Sequence, residues 1–322
     1  MQQTYQEILA CPKCKSALTA QASNRYVCQN PNCLSEYPIN QGIPVMLSPE
    51  NTIFTQKDFE KPADVFFKTY NSKFMQFLQS VQPDISMNLS CKDNYANISR
   101  QLANKKDVKI LIIGGSIDGN GIDQLKNNLP GNALLIEADV TYGPNTKMIF
   151  DSHEIPFKDE SFDLVIAQAV LEHVLDPFIC VAEIHRVLKT GGLVYAETPF
   201  MQQVHGGRYD FHRFTHLGHR RLFRKFVEEK SGIVSGAGSS LAWSFKYLIT
   251  SFANNKKVDK VLSYGSAFLF FWIKYLDLLM SKTKGSLESA CGYYFIGRKE
   301  PGYILSDREL LDSYRGLRGN VK

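Results

Sequence analysis

Four cysteines, Cys11, Cys14, Cys28 and Cys33, stand as two close pairs in "CPKCKSALTAQASNRYVCQNPNC". Cys-x2-Cys and Cys-x4-Cys each make a knuckle that turns two thiolates toward one point, and two knuckles make the cage of a tetrahedral ion such as Zn2+. Four thiolates leave no open position for water, so the metal would be structural. Redox cysteines or an empty remnant are the alternatives. The start, "MQQTYQEILACPKC", has neither a basic leader nor a long apolar run, which predicts a reducing, cytoplasmic setting and disfavours disulfides. Cys91, Cys180 and Cys291 stand alone and read as small core or surface residues.

A second cluster lies in "TPFMQQVHGGRYDFHRFTHLGHRR", which packs four of the seven histidines with Tyr209, Asp210 and Arg213. An imidazole titrating near neutral pH can take the proton of an aligned hydroxyl, and His205 and His212 are the candidates for that catalytic role. Histidines that only bond one another and hold the loop are the alternative. The cluster lacks H-E-x-x-H spacing, so a second metal is not read from it. Upstream, Gly114, Gly115, Gly119 and Gly121 let backbone approach a ligand at a helix start, or simply make a tight turn. "IEAD" then places Asp139 where a carboxylate can accept hydrogen bonds from ribose hydroxyls, an arrangement dinucleotide enzymes share.

Those residues need a scaffold. From Val108 onward, "VKILIIGG", "ALLIEAD", "KMIFD", "SFDLVIAQ" and "GGLVYAETP" read as strands, with "GIDQLKNNL" and "PFICVAEIHRVLK" as helices between them. Such alternation predicts an α/β fold with a parallel sheet covered on both faces. The glycines, Asp139 and the histidine loop then meet at the carboxyl edge of the strands, where such sheets bind ligands. "GIVSGAG" and "GYYFIGRKE" read as two more strands separated by an insertion too long for a hairpin loop.

The segments "ILACPKCKSAL", "YVCQNPNC" and "EYPINQGIPVML" together resemble the Trm112-like zinc-ribbon family, whose members are companions of methyltransferases. Farther on, "DSHEIPFKDESFD" and "QAVLEHVLDP" resemble the third and fourth motifs of class I S-adenosylmethionine methyltransferases, a likeness running from Val108 to Arg298. It implies a doubly wound, Rossmann-like, seven-stranded sheet and S-adenosylmethionine as cofactor. Carried over by position, it implies that Asp151 and the Ser152 amide recognise adenine and that Asp139 binds the ribose. The loop of Gly114, Gly115, Gly119 and Gly121 would face the methionine moiety, and Gln168 would border the cofactor. The acidic residue that the family keeps two places before the first glycine is Ile112 here, so the methionine amino group needs another partner, with Asp118 the candidate. On the residues alone, Asp151 and Asp163 also read as loop or cap residues, and Glu172 and His173 as structural as readily as functional.

The expected organisation is a zinc ribbon over 1–50, a helical connector or lid over 51–107, and the methyltransferase domain over 108–300. A helical insertion near 240–287 and a tail over 301–322 complete it. Phe66, Phe67, Tyr70, Phe74, Phe77 and Leu78 carry the helical spacing of the connector. In the insertion, Val261 to Met280 is almost wholly apolar, while Lys260, Ser263, Ser266, Lys274, Asp277 and Ser281 fall at helical spacing as one polar stripe. Spanning a membrane would bury Lys274 and Asp277, so peripheral contact or internal packing is the better reading. The net charge of +5, from 37 Lys+Arg against 32 Asp+Glu, is too mild for a dedicated nucleic-acid binder. The functional expectation is methyl transfer to an oxygen of a small-molecule, glycan or lipid-linked acceptor, in the cytoplasm or at the inner face of a membrane. The alternatives are an RNA methyltransferase and a noncatalytic interaction scaffold.

Overall fold

Short polar strands joined by tight turns open the chain. In the computed structural model, which describes residues 5–22, 24–51, 53–60 and 81–317, β1 (Leu18–Gln21), β2 (Arg25–Cys28), β3 (Glu36–Asn40) and β4 (Ile43–Pro44) form an antiparallel sheet in that order. The connector aromatics from Phe66 to Leu78 lie outside the described residues.

Aliphatic runs bounded by glycine build the main sheet from β5 (Lys109–Ile113), β6 (Leu134–Asp139), β7 (Met148–Ile149), β8 (Phe162–Gln168), β9 (Leu188–Pro199), β10 (Phe226–Ser235) and β11 (Gly292–Lys299). Its order is β10-β11-β9-β8-β5-β6-β7, a Rossmann-like seven-stranded arrangement in which β11 alone runs antiparallel to both neighbours. Central β8 is buried from Phe162 to Ala167, as a parallel strand covered on both faces must be. One face packs on α1 (Cys91–Leu102), through Tyr95, Ile98 and Leu102, and on the short α2 (Ile122–Lys126). The other carries α3 (Pro177–Val187), opened by Pro177 and capped by Asp176, whose carboxylate accepts from the Phe178 and Ile179 amides. It also carries α4 (His216–Leu222).

The cysteine-bearing segment is not a separate bead. Val45 pairs in parallel with Ile149 of the edge strand β7, and Leu9 pairs with Phe157. Ile8, Leu9, Cys11, Tyr26, Cys28, Tyr37 and Met46 share one apolar core with Phe150, Phe157 and Phe162. A change in the cysteine-bearing segment therefore bears directly on the core under the main sheet.

The insertion differs from its sequence reading too. "GIVSGAG" is a strand only as far as Ser235, because Gly236 caps α5 (Ala237–Thr250). The apolar run is not one helix: α6 (Lys256–Phe270) gives way to a 3-10 segment, Phe271–Leu276, and then to α7 (Asp277–Met280). The expected stripe is therefore broken, with Lys274 donating to the Asp84 carbonyl at 2.6 Å and Asp277 wholly buried. Among the described residues no helix is long and apolar enough to cross a membrane. Phe268, Leu269, Trp272, Leu278 and Leu279 are more than half exposed.

Candidate active site

At the carboxyl edge of β5, Gly114 adopts φ 74°, and a Cβ there would come within 2.4 Å of the Val170 side chain. Glycine is required by the conformation and by that contact. The loop then turns beneath Asp139, which ends β6. The Asp139 carboxylate accepts from the Ser116 amide at 3.1 Å and the Val140 amide at 2.7 Å, while burial pushes its pKa above the usual carboxylate range.

A cavity of about 260 Å³ opens over these residues, lined by Gly114, Asp139, Asp151, Ser152, His173 and His205 among others. It thus brings together one glycine of the loop and the expected ribose and adenine residues. Gly115 and Gly119 border a narrower neighbouring cleft with Gln168 and Asp118, whereas Gly121 is on the wall of a larger cavity. Asp118 accepts from Lys126 and, at 2.9 Å, from Asn145.

Asp151 is held on both sides. One oxygen accepts from the His153 amide and from His153 Nδ1–H, and the other accepts from Asn51 Nδ2 at 2.8 Å. The Asp176 amide donates to His153 Nε2 at 3.0 Å, which assigns the proton to Nδ1. Asn51, just after the cysteine-bearing sheet, has no sequence signal that could have found it.

Gln168 ends β8 as a hub, accepting from the Tyr95 hydroxyl at 3.0 Å and donating to Glu197 at 3.0 Å. Glu197 is buried, and burial pushes its carboxyl upward although Tyr195, Gln168 and Asn88 all donate to it. An acidic residue inside the apolar strand "LVYAETP" was the signal for it. Next to Gln168, Ala169 sits at φ 55°, a conformation that L residues rarely adopt. Ala169 and His205 line both the first cavity and a second one of about 620 Å³, walled by Asn88, Glu172, Glu197, Gln202, Lys274 and Gly292 among others.

The histidine cluster divides. His205 stands between the cavities, its loop held by Arg213, which donates to the Gln202 and Gln203 carbonyls at 2.6 and 2.9 Å and pairs with Asp210. His212 is not brought to either cavity wall: its Nε2 bonds the Leu175 carbonyl at 3.1 Å and its ring stacks on Phe214. His216 and His219 face away into the core against Tyr293, Phe223 and Phe295. Burial, then neighbouring charge, depresses them to about 4 and about 3.

That burial predicts acid sensitivity. An unfolded histidine titrates near 6.5, so below that pH the unfolded chain takes up protons that the folded one refuses. Their contribution is fully present above about pH 6.5 and lost as pH falls toward 4 and 3, at up to ~1.4 kcal/mol per pH unit for each histidine. Urea unfolding at stepped pH should show this decline, and His219→Phe should flatten it. An identical pH slope in that variant would refute the account.

The four cysteine sulfurs lie within 4.8 Å of one another, with Cys14–Cys28 at 3.4 Å and Cys11–Cys33 at 3.8 Å. Four thiolates around one tetrahedral ion stand about 3.8 Å apart, so the cage fits.

Comparison with known proteins follows this geometry. A family model described as a methyltransferase domain matches residues 96–196, from within α1 to β9. The chain is an S-adenosylmethionine-dependent methyltransferase. No curated relative matches it. Similar solved structures include a protein from Galdieria sulphuraria provisionally assigned as a sarcosine dimethylglycine methyltransferase, at 14% identity and TM-score 0.45, covering 71% of this chain and 97% of that one. Phosphoethanolamine N-methyltransferase 2 of Haemonchus contortus has 14% identity and TM-score 0.39, covering 65% of this chain and 52% of that one. Geranyl diphosphate C-methyltransferase of Streptomyces coelicolor A3(2) has 10% identity and TM-score 0.39, covering 64% and 76%.

Proposed function

We propose that this enzyme methylates an oxygen of a small-molecule, glycan or lipid-linked acceptor, in the cytoplasm or at the inner face of a membrane. The observation that carries the reading is the second cavity, which meets the cofactor-side cavity at Ala169 and His205. A half-open cleft of about 620 Å³ suits a compact acceptor or the head of a longer one.

In this reading the Asp139 carboxylate accepts from the ribose hydroxyls, Asp151 and the Ser152 amide meet the adenine, and the glycine loop with Gln168 cradles the methionine moiety. His205 stands where the acceptor enters. Alignment of the acceptor oxygen with the methyl carbon supplies much of the rate, since the sulfonium is already a good leaving group. A structural Zn2+ held by Cys11, Cys14, Cys28 and Cys33 completes a Trm112-like ribbon. Exposed Phe268, Leu269 and Trp272 support peripheral contact with a lipid surface.

Asp139→Ala should weaken cofactor binding about 10- to 150-fold, because each charge-assisted hydrogen bond is worth ~1.5 to 3 kcal/mol. Calorimetry with S-adenosylmethionine measures this, and unchanged affinity would move the ribose site elsewhere. Incubation of the enzyme and methyl-labelled cofactor with a fractionated cell extract then identifies the acceptor. Label in the lipid or small-molecule fraction supports the reading, whereas label in RNA or protein overturns the acceptor class.

A further inference from the structure

Where the two cavities meet, three side chains converge that the cofactor does not require. Glu172 is wholly buried, yet neither carboxylate oxygen has a hydrogen-bond partner. A carboxylate in that state is costly unless a cation compensates it. Its Oε1 lies 3.6 Å from His205 Nε2 and 3.8 Å from His173 Nε2, and the ligating atoms of all three lie within 4.8 Å of one another.

Both rings are oriented from behind. His173 Nδ1–H donates to the Tyr209 carbonyl at 2.7 Å, and His205 Nδ1–H donates to the Gln203 carbonyl at 3.3 Å with Asp210 3.5 Å away. Such bonds direct the Nε2 lone pairs inward, as the outer partners of metal-bound histidines do. Gly206 is part of the same construction, since a Cβ there would stand 2.4 Å from the His173 ring. Ligands at about 2.1 Å from one ion sit roughly 3 to 3.5 Å apart, so the Glu172 contacts to the two histidines are within a few tenths of an ångström of that spacing, and the histidine nitrogens, within 4.8 Å of each other, close in to complete a site.

We propose that Glu172, His173 and His205 bind a divalent transition-metal ion that takes an acceptor oxygen as a further ligand. Two imidazoles and one carboxylate suit Mn2+, Fe2+, Co2+ or Zn2+, and three protein ligands leave positions open. His173 lines the cofactor-side cavity, Glu172 the second cavity and His205 both, so the ion faces the methyl donor and the acceptor together. The role in transfer rests on the methylation reading above. The acceptor hydroxyl, bound to the ion, releases its proton to water. Its oxygen electron pair then forms the C–O bond to the methyl carbon as the S–CH3 pair returns to sulfur, leaving neutral S-adenosylhomocysteine.

The test titrates the full-length protein, isolated without chelator, with Mn2+ followed by electron spin resonance of the free ion. A parallel titration uses Co2+, whose d–d bands in a nitrogen and oxygen site lack the thiolate charge transfer of a cysteine site. One ion per chain should bind, weakened at least about 100-fold in Glu172→Gln and in the more exposed His205→Ala. Calorimetric affinity for S-adenosylmethionine should stay within about threefold in Glu172→Gln, and circular dichroism with thermal melting reports that both variants fold. Absence of binding in the wild type with both ions, or equal binding in a folded variant, overturns the proposal. Metal binding by a wild type that fails to bind S-adenosylmethionine would instead sink the methylation reading and leave the metal site standing.

Discussion

Replacing Cys28 with serine should lower the melting temperature of the whole protein by more than about 10 °C, in a single transition, and weaken cofactor binding with it. Structural zinc in a four-cysteine cage contributes about 10 to 16 kcal/mol, comparable to the ~5 to 15 kcal/mol net stability of an ordinary domain. A cysteine-bearing segment that hung free would keep that loss to itself. Here Cys11 and Cys28 lie in the same apolar core as Phe150, Phe157 and Phe162. The Met46 amide donates to the Ile149 carbonyl at 2.7 Å, so the two-residue strand β7 depends on the neighbouring cysteine-bearing segment for its outer hydrogen bonds. The loss continues into the site through Asn51, which holds Asp151. Calorimetric scanning with and without a chelator decides the matter. Two transitions, with the larger unmoved by metal removal, would show that the cysteine-bearing segment and the main sheet unfold separately.

Asp277→Ala is expected to cost at least about 3 kcal/mol, moving the melting temperature down by roughly 5 to 10 °C. Its buried carboxylate accepts from the amides of Gly236, Gly238 and Ser239 at 3.0, 2.7 and 3.2 Å, and from the Ser239 hydroxyl at 2.6 Å. Those amides are the unpaired donors at the start of α5, where negative charge is also favoured by the helix dipole. Gly236 and Gly238 permit the approach, since a Cβ on either would fall within 3 Å of Asp277 Oδ1. Alanine leaves three buried amides without partners and frees the 3-10 segment that carries Lys274 to the second cavity. Acceptor turnover should therefore fall further than cofactor affinity. Chemical denaturation and calorimetry measure the two effects, and a stability within about 0.5 kcal/mol of wild type would refute the anchor.

The local pattern carried much of this outcome. Apolar strands alternating with helices specify a parallel sheet because only burial on both faces compensates such continuous hydrophobic runs. The cysteine spacing specifies two knuckles because each is closed within a few residues. Glycine at 114 and aspartate at 139 were legible for the same reason: a turn and a strand end are set by near neighbours in the chain.

What needed the tertiary structure was everything decided by distant partners. "VHGGRYDFHRFTHLGHRR" is one histidine-rich stretch in sequence, but the turn into α4 leaves His205 at the cavities and sends His216 and His219 into the core. Asn51, Asn88 and Tyr95 lie far along the chain from Asp151, Glu197 and Gln168, which they bond. Periodicity made one striped helix of Val261 to Met280, yet burial of Asp277 at the start of α5 outweighs an unbroken helix and turns the chain through a 3-10 segment. Helical spacing records which side chains could share a face, whereas the cost of an unpaired buried charge determines where Asp277 must go.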